Sequence, residues 1–96
     1  VKLTKKDKDY ILNHVYGGIE PAFNEDIQQI EEAAEKTTYS FYKGEEEIPL
    51  SRPQVIKKIG RSGWLSGICR SAFHFTACRV ADDGTEIIFD SSGLFK

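Results

Sequence analysis

A chain of 96 residues, 40% hydrophobic and 29% charged, has the makeup of one folded domain, which excludes a disordered tail and an array of domains. No apolar run approaches the roughly 18 residues of a membrane-spanning helix, and the basic start Val1-Lys2-Leu3-Thr4-Lys5-Lys6 leads into no apolar signal segment. The net charge of −2 conceals blocks: 1–50 hold six lysines against eleven acids, whereas 51–80 hold Arg52, Lys57, Lys58, Arg61, Arg70 and Arg79 with no acid at all.

Two cysteines, Cys69 and Cys78, are too few for a disulfide framework, and their spacing fits no zinc pattern. They read as two small, buried, reduced side chains of a cytoplasmic protein, with no metal and no cofactor expected.

In chain order, Thr4 and Asp7 resemble a capping box that opens a helix over about 5–15, with Ile11, Leu12 and Val15 inward. Gly17-Gly18 stops it. Asn24 reads as the cap of a second helix, with Glu25 and Asp26 in its first turn and Ile27, Ile30, Ala33 and Ala34 on one face. The period then changes. Thr37-Thr38-Tyr39-Ser40-Phe41-Tyr42 is β-branched and aromatic, so a strand is expected, turned by Lys43-Gly44. Glu45-Glu46-Glu47 reads as a solvated acidic run, with Ile48 and Leu50 returning inward around Pro49.

Ser51 and Gln54 form a second capping box, with Pro53 in the first turn. Val55, Ile56 and Ile59 face inward, and Gly60 ends that helix. Ser62 then caps a shorter one carrying Trp64, Leu65 and Ile68. Gly63 and Gly67 cost this helix about 1 kcal/mol each relative to Ala, which a close approach to its backbone would explain. From Ala72 the pattern is β again, with His74 placed on a strand between Phe73 and Phe75. Ala81-Asp82-Asp83-Gly84 is a hairpin turn. A two-residue loop sets Arg79 opposite Glu86, and a bulged loop shifts that pairing by one. Leu94 and Phe95 are expected to fold back over a sheet edge.

The expected fold is a compact single α+β domain of order α-α-β-α-α-β-β, with helices packed on a small antiparallel sheet that ends in a hairpin. The expected core is Ile11, Val15, Ile27, Ile30, Phe41, Val55, Ile59, Trp64, Leu65, Ile68, Phe75, Ile88 and Phe89.

Three function classes compete. The favoured one is a non-catalytic protein-interaction or regulatory module, whose binding face is the basic stretch Arg52, Lys57, Lys58, Arg61, Arg70 and Arg79. Its partner would be a protein with an acidic surface. The acidic second helix, about 25–35, could instead neutralise that stretch internally.

Nucleic-acid binding is the first alternative. With the first helix set aside, the order α-β-α-α-β-β over about 24–92 resembles that of winged-helix domains. The resemblance implies that Arg61, Ser62 and Arg70 lie near phosphates. Against it stand an apolar, glycine-rich second helix, the Asp82-Asp83 hairpin tip and the acidic overall balance.

A small Cys- or Ser-His hydrolase centred on His74 is the other alternative. Cys69, Cys78, Ser71, Ser91 or Ser92 would be the nucleophile and Asp90 the orienting carboxylate. No flanking motif marks any of these residues, so no catalytic residue is assigned. Gly60-Arg61-Ser62-Gly63 lacks the Lys and the spacing of a phosphate loop.

Overall fold

The computed structural model describes residues 3–92. The expected fold-back of Leu94 and Phe95 lies outside them. Helices α1 (Lys5–His14) and α2 (Glu20–Lys36) precede a hairpin of β1 (Thr38–Lys43) and β2 (Glu46–Leu50). Helix α3 (Arg52–His74) then leads to a second hairpin of β3 (Thr76–Val80) and β4 (Glu86–Asp90). The strands form one antiparallel sheet in the order β2-β1-β4-β3. Counting α3 as two halves, this is the expected α+β order with one strand added. No described helix is long and apolar enough to cross a membrane.

Local chemistry sets the helix ends. Thr4 Oγ accepts the Asp7 N–H at 3.2 Å, and the Asp7 carboxylate accepts the Thr4 N–H at 3.0 Å. Ser51 and Gln54 exchange the same pair of bonds at 3.4 and 2.8 Å. Each box satisfies two backbone donors that a helix start leaves orphaned. Gly60, at φ 79° and ψ 164°, breaks α3 into two halves; only glycine adopts that backbone without penalty. Ser62 makes no capping hydrogen bond among the described residues, so the second half restarts without the expected cap.

Helix α2 begins four residues ahead of Asn24. Ile19 is its N-cap and offers no side-chain bond, while Pro21 sits in the first turn. Proline's preset φ starts the helix there, and the extra turn buries Phe23.

Strand β2 was not expected. Lys43-Gly44 turns the chain as read, but Glu46 and Glu47 continue into an edge strand opposite Lys43 and Tyr42. Lys43 and Glu46 form an opposite-charge cross-strand pair, and Ser40 Oγ donates to Glu47 Oε2 at 2.9 Å. Pro49 is tolerated because the strand is an edge.

The second hairpin takes the bulged form. Gly84 N–H donates to Ala81 O and Ala81 N–H to Thr85 O, with Gly84 at φ 88°. Arg79 therefore faces Ile87, and Val80 faces Glu86.

The sheet alternates as a half-buried antiparallel sheet should. Tyr39, Ala77, Ile87 and Phe89 are buried under the helices. Helix α3 is the hub, packing against α1, α2, β1, β3 and β4. The core holds Ile11, Ile30, Val55, Trp64, Leu65, Ile68 and Phe89 as expected, with Ile27 and Ile59 at its margin. Phe41 is only half-buried, and Ile87 takes the inward place assigned to Ile88.

Two expected core residues are exposed. Val15 is the C-cap of α1, beyond its last buried turn, and Phe75 is the C-cap of α3 at φ 69°. His74 therefore ends a helix rather than sitting on a strand. The carbonyls at that helix end are satisfied over long range. Ser91 Oγ donates to Ser71 O at 2.6 Å, and Gln29 Nε2 donates to Ala72 O at 2.7 Å.

Gly67 has the expected close neighbour. A Cβ there would lie 2.5 Å from the Phe89 ring, which meets Tyr39 edge-on at 5.2 Å. Trp64 is fully buried, and its indole N–H donates to Tyr39 Oη at 2.9 Å. Tyr39→Phe would leave that donor unpaired. The expected cost is about 1.5 kcal/mol, read by urea denaturation; an unchanged midpoint would show that the bond contributes nothing net.

Candidate functional site

The kink at Gly60 divides the acid-free stretch into two groups with different surroundings. The first belongs to the leading half of α3 and its join. Arg61 lies against Asp7 in a two-pronged ion pair, Nε to Oδ1 and Nη2 to Oδ2, each 2.7 Å. The Asp7 side chain is only 2% exposed. Its carboxyl is held down to about 2, chiefly by the Arg61 hydrogen bond against the opposing effect of burial. Arg61 and Arg52 also lie over the Trp64 ring, 5.3 and 5.9 Å from its centroid. Lys58 is 3.9 Å from Asp83 at the hairpin tip and 6.0 Å from the centre of the Phe41 ring. Lys57 is exposed and makes no hydrogen bond or ion pair among the described residues.

This group is therefore part-neutralised within the chain. The partners are α1 and the hairpin tip, not the acidic α2 that the sequence offered.

The second group is Arg70 and Arg79. Neither has a carboxylate partner among the described residues. Both line a cleft of about 410 Å³ between the end of α1 and the second half of α3. Arg79 is oriented by neutral groups: its Nε and Nη2 donate to Ser66 Oγ at 3.1 and 2.8 Å, and its Nη1 donates to Cys78 O at 2.8 Å. Both histidines join the same cleft. His14 is stacked on Tyr10 with ring centroids 4.5 Å apart. Val15, Tyr16 and Phe73 supply apolar wall, and no acidic side chain among the described residues lines the cleft. The Tyr16 hydroxyl is turned to Asp26 at 2.8 Å, and burial followed by that carboxylate pushes its ionisation well above the usual phenol range.

The cleft also brings His74 alongside Cys69 and Ser66, but the contacts do not activate a nucleophile. Burial pushes the Cys69 thiol up to about 12, leaving it protonated at neutral pH. Ser66 Oγ accepts from Arg79, Ser71 Oγ donates to Ile68 O, and Ser91 Oγ donates to Ser71 O. Cys78 is exposed, not buried as expected, because strand alternation turns Ala77 inward and the next residue out. No hydrogen bond joins His74 to any of them among the described residues. Nor does any group of three or more His, Cys, Asp or Glu among those residues have a metal-holding arrangement.

Sequence reasoning found Arg70 and Arg79 through the missing acids. It did not find His14, Ser66 or Phe73 as their neighbours. His14 lies 65 residues from Arg79, and only the packing of α1 on α3 joins them. The added strand β2 also departs from the winged-helix element order. Compared with protein-family models, with curated proteins and with solved structures, the chain matches none.

Proposed function

We propose that this chain is a non-catalytic binding module whose partner is a protein with an acidic surface, engaged through the basic side chains between residues 52 and 79. One observation carries the reading: Arg70 and Arg79 meet at a cleft where no described residue supplies a carboxylate, while their neighbours Arg61 and Lys58 have been given one. Unpaired guanidinium groups over an uncharged wall attract anionic partners and set the rate of encounter. The protonated Cys69 and the engaged hydroxyls of Ser71 and Ser91 support a role without covalent chemistry.

The test is a charge reversal that spares the fold. Lys57→Glu with Arg70→Glu alters two exposed positions that make no hydrogen bond or ion pair among the described residues, so stability should stay within about 0.5 kcal/mol. Binding of a labelled oligoglutamate peptide, followed by fluorescence anisotropy at low and physiological salt, should weaken at least tenfold. A mixed-sequence DNA duplex serves as the competing probe. Unchanged peptide binding by the double variant, or tight salt-sensitive binding of the duplex alone, would remove the proposal.

A further inference from the structure

The donors around the cleft narrow the partner's chemistry, on the premise that the chain is a binding module. A guanidinium carries five N–H donors. Arg79 engages three of them, on Nε, Nη2 and Nη1, with Ser66 Oγ and Cys78 O. One N–H on each terminal nitrogen is left, enough donors for the two oxygens of a carboxylate. Those same three bonds hold the group in place, so little side-chain freedom remains to be lost on binding. Ser66 Oγ accepts twice from Arg79, and its own O–H donates to nothing among the described residues. Arg70 adds a second cation with no hydrogen bond or ion pair among the described residues.

Beside this donor set lies exposed hydrocarbon. Val15 is 45% exposed and Phe73 39%. A cleft of about 410 Å³ falls in the size range of sites that take a few side chains. It also sits at the C-terminal ends of α1 and α3, where partial negative charge gathers. That field tolerates a single negative charge balanced by arginine better than a doubly charged phosphate.

We infer that the cleft receives the carboxylate of an acidic segment of the partner protein, with a bulky apolar residue next to it seated on Val15 and Phe73.

The probes are three: the capped peptide Leu-Glu-Glu-Phe, its Leu-Gln-Gln-Phe analogue and a mixed-sequence DNA duplex. Each is titrated into isotope-labelled protein and followed by two-dimensional NMR. The acidic peptide should move the Arg79 Nε–H signal and the amides of Ser66, Arg70 and His74. The glutamine analogue should bind at least tenfold more weakly. Arg79→Lys should lose about tenfold because a lysine cannot make the two-pronged contact. Arg70→Gln, at an exposed side chain with no hydrogen bond or ion pair among the described residues, should lose a similar factor with unchanged thermal unfolding.

Equal binding of the two peptides would overturn the carboxylate assignment, and so would silence at Arg79 with every probe. Shifts confined to residues 52–61 would overturn the cleft while leaving the binding-module reading intact. A response to the duplex with none to either peptide would overturn both.

Discussion

Arg61→Ala is expected to lower the unfolding free energy by about 3 kcal/mol at neutral pH. The arginine is half-exposed, but its partner Asp7 is 2% exposed. Removing the cation leaves a carboxylate that has lost both of its charged hydrogen bonds, with only the Thr4 capping bonds to hold it. Breaking one side of a buried pair typically costs about 3–5 kcal/mol, and those bonds place this case at the lower end.

The pH dependence has a definite sign. The Asp7 carboxyl is depressed from 3.8 to about 2 in the folded protein, so the folded state favours the charged form. Its contribution is complete above the ordinary value of 3.8 and is lost as pH falls through about 2. It amounts to about 2 kcal/mol, at about 1.4 kcal/mol for each pH unit of depression. Urea denaturation at neutral pH, near pH 4 and near pH 2 should show the parent losing stability across that window. The variant, already lacking the pair, should lose less. Parallel curves would show that Asp7 is not held by Arg61. Because Arg61 carries this structural role, reversing its charge would confuse unfolding with loss of binding, and Lys57 and Arg70 are the cleaner probes.

Gly67→Ala is expected to cost about 2 kcal/mol despite adding a better helix former. Propensity alone favours Ala by about 1 kcal/mol. The new methyl carbon, however, would lie 2.5 Å from Cε2 and 2.6 Å from Cζ of Phe89, about an ångström inside ordinary carbon–carbon contact. The ring is fully buried and set edge-on to Tyr39, so it has nowhere to move without displacing the sheet from α3. Overpacking of this kind costs about 1–3 kcal/mol, occasionally more, and here it outweighs the propensity gain. For a domain of this size the melting temperature should fall by roughly 10 °C. Adding Phe89→Leu should recover part of the loss, so that the double variant is more stable than the sum of the singles. A Gly67→Ala protein as stable as the parent would show that the contact can relax.

What could be read from the sequence was whatever is decided within a few residues. Both capping boxes lie three positions apart, and Gly60 breaks α3 by its own backbone freedom. Gly67 advertised a close neighbour without naming it. Strand β2 was hidden because an edge strand can leave Glu46 and Glu47 in water and needs no apolar alternation. Asn24 lost to Pro21 because two start signals lay three residues apart and only burial of Phe23 chooses between them. The Asp7–Arg61 pair spans 54 residues, and no spacing encodes such a bond. The charge block was visible, but its division into a neutralised half and a half open at a cleft depends on where α1 and the hairpin tip come to rest.

The strand order has a kinetic consequence. Strand β4 is the last element in the described chain, yet it lies inside the sheet, between β1 and β3. The β1–β4 pairing joins residues 38–40 to residues 88–90, a long loop to close before any reward is gained. During synthesis the first hairpin and α3 emerge before Phe89, whose ring packs between Tyr39 and Gly67. The cooperative transition therefore waits for the final hairpin, and until then Tyr39, Trp64 and an unpaired edge of β1 face the solvent or a chaperone.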